Sequence, residues 1–156
     1  MKKLILIIGA LGVAACSQGE DIYVAKVIGI TDGDTLKVLK AGNEQVKIRL
    51  SGIDCPESHQ AWGQLAKDAI SDHIFGQNVS VQVVSQDRYG RTVATLFKDG
   101  QSVNRFLVGS GNCWVYPRYA KDQKLFELHE HAKSNRLGLW SMPDNQIVEP
   151  WNFRRK

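Results

Sequence analysis

The chain has 156 residues, 43% of them hydrophobic and 23% charged, which fits one globular domain with its own core and excludes an intrinsically disordered protein. Net charge is +4; without residues 1–15, which carry Lys2 and Lys3 and no acid, the balance is 18 basic to 16 acidic residues. So small an excess does not by itself point to nucleic acid, and the placement of the charges has to decide.

The chain opens with Lys2-Lys3, an apolar run from Leu4 to Ala15, and Cys16. A short positive region, a short apolar stretch and small residues before a processing site make an export signal over 1–15. The run is too short to cross a bilayer comfortably as a helix. Val13-Ala14-Ala15-Cys16 resembles a bacterial lipobox, in which the cysteine becomes the lipid-bearing first residue; a plain cleaved signal is the other reading. A polar tether over 16–20 would follow, with several acyl chains anchoring the protein to the cell envelope. Ser17 rather than Asp after that cysteine leans toward the outer membrane of a Gram-negative cell. Cys55 and Cys113 then remain as the two cysteines of an exported chain, where a disulfide is possible.

Ile22 to Thr31 is rich in β-branched and apolar residues and predicts a strand, closed by the Asp32-Gly33 turn signal. Thr35 to Leu39 and Val46 to Leu50 alternate as second and third strands around an Ala41-Gly42-Asn43 turn, and Pro56 ends the pattern. From Gln60 to Phe75, Ala61, Leu65, Ala66, Ala69, Ile70 and Ile74 recur at helical spacing, and Gly76 fits the cap. Val79 to Val84 and Thr92 to Phe97 predict strands four and five, with Asp99-Gly100 as a turn. Ser102 can cap a short helix ending near Gly109, and Asp122 a further helix reaching Asn135. Three strands, a helix, two strands and further helices predict an α+β fold: a five-stranded Greek-key barrel of the OB type with about three helices, over 21–141. Residues 142–156 read as a tail. Its end, Trp151-Asn152-Phe153-Arg154-Arg155-Lys156, is basic with aromatics: a loose solvated tail, or more sharply a contact with nucleic acid or a membrane surface.

Three segments carry chemistry. Asp32-Gly33-Asp34-Thr35 taken alone is a common hairpin turn. Ile48 to Glu57 ends a strand in two acids flanking Pro56, with Arg49 on the preceding strand. If the barrel gathers strand ends, Asp34, Asp54 and Glu57 converge, and that cluster is costly without a cation. Carboxylate and carbonyl oxygens suit a hard ion such as Ca2+. Asp87-Arg88-Tyr89-Gly90-Arg91-Thr92 is a polar turn that brings a second arginine; two guanidinium groups grip a phosphate through charge-assisted, bidentate hydrogen bonds. Together these parts suit phosphodiester hydrolysis. No histidine or cysteine pattern suggests zinc.

Asp-Gly-Asp-Thr at 32–35, Arg-Leu-x-x-Ile-Asp-x-Pro-Glu at 49–57 and Asp-Arg-Tyr-Gly-Arg at 87–91, in that order, resemble the staphylococcal nuclease (thermonuclease) family from about Ile22 to Trp140. The resemblance implies Asp34 and Asp54 as Ca2+ ligands with the backbone carbonyl of Cys55 a third, and Glu57 as general base or water-positioning group. It implies Arg49 and Arg91 on the scissile phosphate, with Arg91 also helping the leaving group depart. Arg88 and Tyr89 would contact substrate, and Trp114 and Tyr116 either stack on the bases or pack in the core. A threonine in the best-known member stands where this chain has Cys55, and a lysine where it has Arg88. The family pairs the Cys55 segment with the Cys113 segment, which makes a Cys55–Cys113 disulfide the expectation. The implied activity is a monomeric, calcium-dependent, sugar-non-specific endonuclease of DNA and RNA leaving 3′-phosphate ends, with single strands favoured. The rival reading is an envelope lipoprotein whose OB-fold binds nucleic acid without cutting it; domains of that kind lose the acids or arginines, and here all five are present.

Overall fold

The computed structural model describes residues 21–155; residues 1–20, with the expected export signal, tether and Cys16, lie outside it. The elements in chain order are β1 (Ile22–Ile30), β2 (Thr35–Leu39), β3 (Gln45–Leu50), β4 (Ile53–Asp54), α1 (Gly63–Ile74), β5 (Asn78–Gln86), β6 (Thr92–Lys98), β7 (Gln101–Ser102), α2 (Val103–Gly109), β8 (Trp114–Val115), α3 (Gln123–Ser134) and α4 (Pro150–Phe153). Short 3-10 turns lie at Ala41–Asn43, Gly138–Ser141 and Asp144–Gln146.

Five strands close into a barrel in the order β3-β2-β1-β5-β6, with β7 extending β6 as a two-residue edge. All neighbouring pairs are antiparallel except the seam, where β3 meets β6 in parallel and Arg49 faces Val93. Register shifts at Val27/Gly29 and Val83/Ser85 let the long strands bend around the barrel. The alternation seen in the sequence becomes the inside of this barrel: Val27, Leu36, Val38, Ile48, Leu50, Val79, Val81, Ala94 and Leu96 are all buried. Ala66, Ile70 and Ile74 of α1, with Val103 and Leu107 of α2, complete the same core.

Both expected helix caps are present. The Ser102 side chain accepts from the Arg105 N–H and the Asp122 side chain from the Lys124 N–H, satisfying donors that a helix start leaves orphaned. The first helix departs from expectation: it begins at Gly63 rather than Gln60, because Trp62 takes a left-handed conformation at φ 71° and residues 57–62 form turns instead.

The tail reading of 142–156 does not hold for the described part of that segment. A second apolar cluster of Trp114, Ala132, Leu139 and Trp140 takes up Met142, Ile147 and Trp151. Pro150 is buried at the first turn of α4, where its missing N–H costs nothing. The Gln60 amide donates to the Val148 carbonyl at 2.6 Å. Apolar burial and a hydrogen bond of that kind hold the segment against the body of the protein.

Candidate active site

β4 follows β3 after the two-residue turn Ser51-Gly52 and pairs outside the barrel sheet. The turn is fixed from three sides. The Leu50 N–H donates to the Asp34 carbonyl at 2.8 Å, the Tyr116 N–H to the Gly52 carbonyl at 2.9 Å, and the buried Asn104 amide to the Ser51 carbonyl at 2.9 Å. Asn104 also accepts from the Leu96 N–H at 3.1 Å, so one side chain ties the turn to β6. β4 pairs with β8, setting Asp54 opposite Trp114.

The β1–β2 turn presses onto this platform. Its Asx geometry, with the Asp34 N–H on Asp32 Oδ1 at 3.1 Å, turns the Asp34 side chain inward. A Cβ on Gly33 would stand 2.7 Å from Cys55 Cβ and 3.1 Å from Ala66 Cβ, so only glycine allows the approach. Cys55 is joined to Cys113 by a disulfide, with the two Cα atoms 4.2 Å apart.

Arg49 is the hub of the resulting cluster. Its Nη1 donates to the carbonyls of Leu50 at 2.9 Å and Ile53 at 3.0 Å, and lies 3.2 Å from Asp34 Oδ2. Its Nη2 donates to Asp54 Oδ1 at 2.9 Å. Asp34 also accepts from the Cys55 N–H at 2.7 Å and the Thr35 hydroxyl at 3.2 Å. Burial drives the Asp34 carboxyl up to about 7; Arg49 pulls it back down, while Asp32 and Asp54 add to the rise.

Arg154 enters from α4. Its Nη2 donates to Asp54 Oδ2 at 2.7 Å, and its Nη1 to Glu57 Oε1 at 2.6 Å and Asp54 Oδ1 at 3.2 Å. These hydrogen bonds, the one to Asp54 foremost, raise the Arg154 pKa above its already high value despite partial burial. Asp34 and Asp54 thus share Arg49, and Asp54 and Glu57 share Arg154, so two guanidinium groups answer the charge of the three acids.

The opposite wall comes from the β5–β6 turn. Asp87 accepts from the N–H groups of Tyr89 and Arg91 at 2.9 and 3.0 Å and from Arg91 Nε at 2.7 Å. Burial pushes the Asp87 carboxyl up, yet these bonds win and hold it below the usual carboxylate range. Arg88 and Arg91 both lie over the Tyr89 ring, at 4.9 and 5.6 Å from its centre.

These parts border one open cleft of about 1060 Å3. Asp34, Arg49, Asp54, Cys55, Glu57, Arg88, Tyr89, Arg91 and Tyr116, all expected at the site, line it. Trp114 does not. It is buried at a ring distance of 4.4 Å from Trp140 and 5.6 Å from His129, a core role that corrects its reading as a base-stacking residue. Tyr116 faces the cleft, with Trp151 stacked parallel on it at 5.2 Å. Arg154, Trp151, Gln60, Asn104 and His129, whose Nδ1 accepts from the Val115 N–H at 3.2 Å, had no motif to mark them. Only the basic-aromatic composition of the last residues pointed toward Trp151 and Arg154.

Among the described residues, no three His, Cys, Asp or Glu side chains sit close enough to hold a metal by themselves. Any ion here would take carboxylate oxygens from Asp34 and Asp54 and fill its shell from carbonyl, water or substrate oxygen, as hard cations readily do.

Known proteins resemble this chain in sequence. The family model described as "Staphylococcal nuclease homologue" matches residues 47–142. An "Uncharacterized endonuclease" of Haemophilus influenzae is 37% identical over 156 residues, covering all of this chain and 84% of that protein. A "Micrococcal nuclease" of Shigella flexneri is 38% identical over 144 residues, 85% of this chain and 81% of its own. An "Uncharacterized endonuclease" of Escherichia coli O157:H7 is 37% identical over 137 residues, 87% of each chain. With the barrel, the cleft and its three motif segments in place, this chain belongs to the staphylococcal nuclease family.

Proposed function

We propose that the protein is a metal-dependent endonuclease that hydrolyses phosphodiester bonds of DNA and RNA without regard to the sugar, leaving 3′-phosphate ends. The observation that carries this reading is the meeting of Asp34, Asp54 and Glu57 with Arg49 and Arg91 around one open cleft. The donor set of Asp34 and Asp54 fits a hard divalent ion, with Ca2+ as our assignment. When bound, that ion supplies Lewis-acid stabilisation of charge on a phosphoryl oxygen.

The residues of the chain do the rest. Arg49, pinned by two carbonyls and two carboxylates, has its position fixed before charge builds on the phosphate. Arg91 reaches the other side from its Asp87 support and can leave that carboxylate for a more highly charged phosphate. Glu57, about a third exposed, takes the role of orienting and deprotonating water in this reading. Tyr89 and Tyr116 line the cleft, and aromatic contact of this kind tolerates any base, which suits cleavage without sequence choice. Export, lipid anchoring through Cys16 to the envelope and a monomeric state complete the reading.

One assay tests it: purified protein with single-stranded DNA, in Ca2+ or in chelator. Rapid hydrolysis with Ca2+ and none with chelator is expected. Intact polynucleotide after incubation at about 1 mM Ca2+, with the protein folded, overturns the reading.

A further inference from the structure

Arg154 reaches the acids from 100 residues away in the sequence, and it is delivered by a fitted segment. Val148 is held by Gln60, Pro150 is buried, Trp151 stacks on Tyr116, and Phe153 packs 5.2 Å from the His59 ring. The guanidinium therefore arrives at a set place.

The oxygens of Asp54 are divided unequally. Oδ1 accepts from both Arg49 and Arg154, while among the described residues Oδ2 accepts from Arg154. Glu57 Oε1 likewise accepts from Arg154. Arg49 is wedged in the interior with a side chain 14% exposed, whereas the Arg154 side chain is 41% exposed and sits at the cleft mouth. Of the two guanidinium groups on Asp54, Arg154 is thus the one with more access to solvent.

We propose that Arg154 is a built-in counter-cation that competes with the divalent ion for Asp54 while also holding Glu57. It sets the metal affinity of the site and must release Asp54 when the ion binds. This inference rests on the metal-dependent reading above. Both cations cannot use Asp54 Oδ2 together, because like charges at contact distance repel in a partly buried site. Since Trp151 in α4 lies three residues before Arg154 at the helix's C-cap, release of Arg154 should be felt in the contact between Trp151 and Tyr116.

The test is calorimetric titration of Ca2+ alone, without nucleic acid, into wild type, Arg154→Gln, Arg154→Lys and Arg155→Gln. Among the described residues the ion pairs to Asp54 and Glu57 come from Arg49 and Arg154, so the Arg155 variant removes the same charge without breaking one of them. Arg154→Gln should bind Ca2+ about tenfold more tightly, Arg154→Lys should fall between, and Arg155→Gln should match wild type. Ca2+ should also change tryptophan emission in wild type and do so less in Arg154→Gln. Equal or weaker binding by Arg154→Gln, or an equal gain in Arg155→Gln, overturns the competition while leaving the metal site standing. No binding to any of the four proteins overturns the metal site and the competition together.

Discussion

The backbone carbonyl of Glu57 packs directly on Cα of Gly63. A Cβ at Gly63 would overlap that carbonyl oxygen and stand 2.8 Å from its carbon and 3.1 Å from Ser58 Cα. These are backbone atoms, so no rotamer change relieves them. Gly63→Ala should cost about 1–3 kcal/mol of stability and shift the Glu57 segment. A displacement of that order lowers turnover by about a hundredfold. Comparing melting temperature and cleavage rate of the variant with wild type checks both; full activity would show that the Glu57 backbone tolerates the shift.

Glu57→Gln keeps the size of the side chain and an oxygen for Arg154 but removes the base. Turnover on single-stranded DNA should fall about 10²–10⁴-fold, while binding changes only a few-fold. Steady-state rates alongside a binding isotherm separate the two. Undiminished turnover would remove Glu57 from the chemistry.

The disulfide joins residues 58 apart in sequence. On chain-entropy grounds such a loop contributes about 4 kcal/mol, which amounts to about 10 °C in Tm for a chain of this size. Reductant, or Cys55→Ser with Cys113→Ser, should lower the melt by that order. It should also reduce activity, because Cys55 lies between Asp54 and the Glu57 turn. A melt that reductant leaves unmoved would deny the bond its structural role.

Asp34 gives a pH signature. Its carboxyl titrates at about 7 in the folded chain and at the ordinary 3.8 when unfolded. Between those values the folded state holds the extra proton, so this group adds stability below pH 3.8 and loses it as pH rises through about 7. Asp34→Asn carries no such slope. In chelator, urea unfolding should therefore show wild type gaining on Asp34→Asn at pH 4.5 relative to pH 7.5. A stability difference that stays constant across that range would contradict the raised pKa.

The barrel was legible in the sequence because its physics is local. Thr35–Leu39 alternates over the same residues in sequence and structure, and Ser102 and Asp122 cap the helices they seemed built to cap. Asp34, Arg49, Asp54, Glu57 and Arg91 could be read because each belongs to a short segment with a recognisable pattern. Trp114 could not be assigned to cleft or core, since a tryptophan beside a site looks the same in either role until its neighbours Trp140 and His129 are in place. The start of α1 was misplaced because the apolar spacing continues through Ala61, while the turns at 57–62 are decided by contacts to Gly63 and Val148. Arg154 was illegible for the same reason. Its charge is indistinguishable from that of a solvated end, and its partners sit at the far side of the chain.

The Cys55–Cys113 bond also encloses an exposed loop of the cleft. Tyr89 is 68% exposed at the tip of the β5–β6 turn, flanked by Arg88 and Arg91. A protease that nicks this loop after Arg88 severs Arg49, Asp54 and Glu57 from Arg91 and Arg154 in sequence, yet both fragments carry one half of the cystine. Such a clipped protein migrates as one species until its cystine is reduced, and the two faces of its cleft remain tethered through the cut.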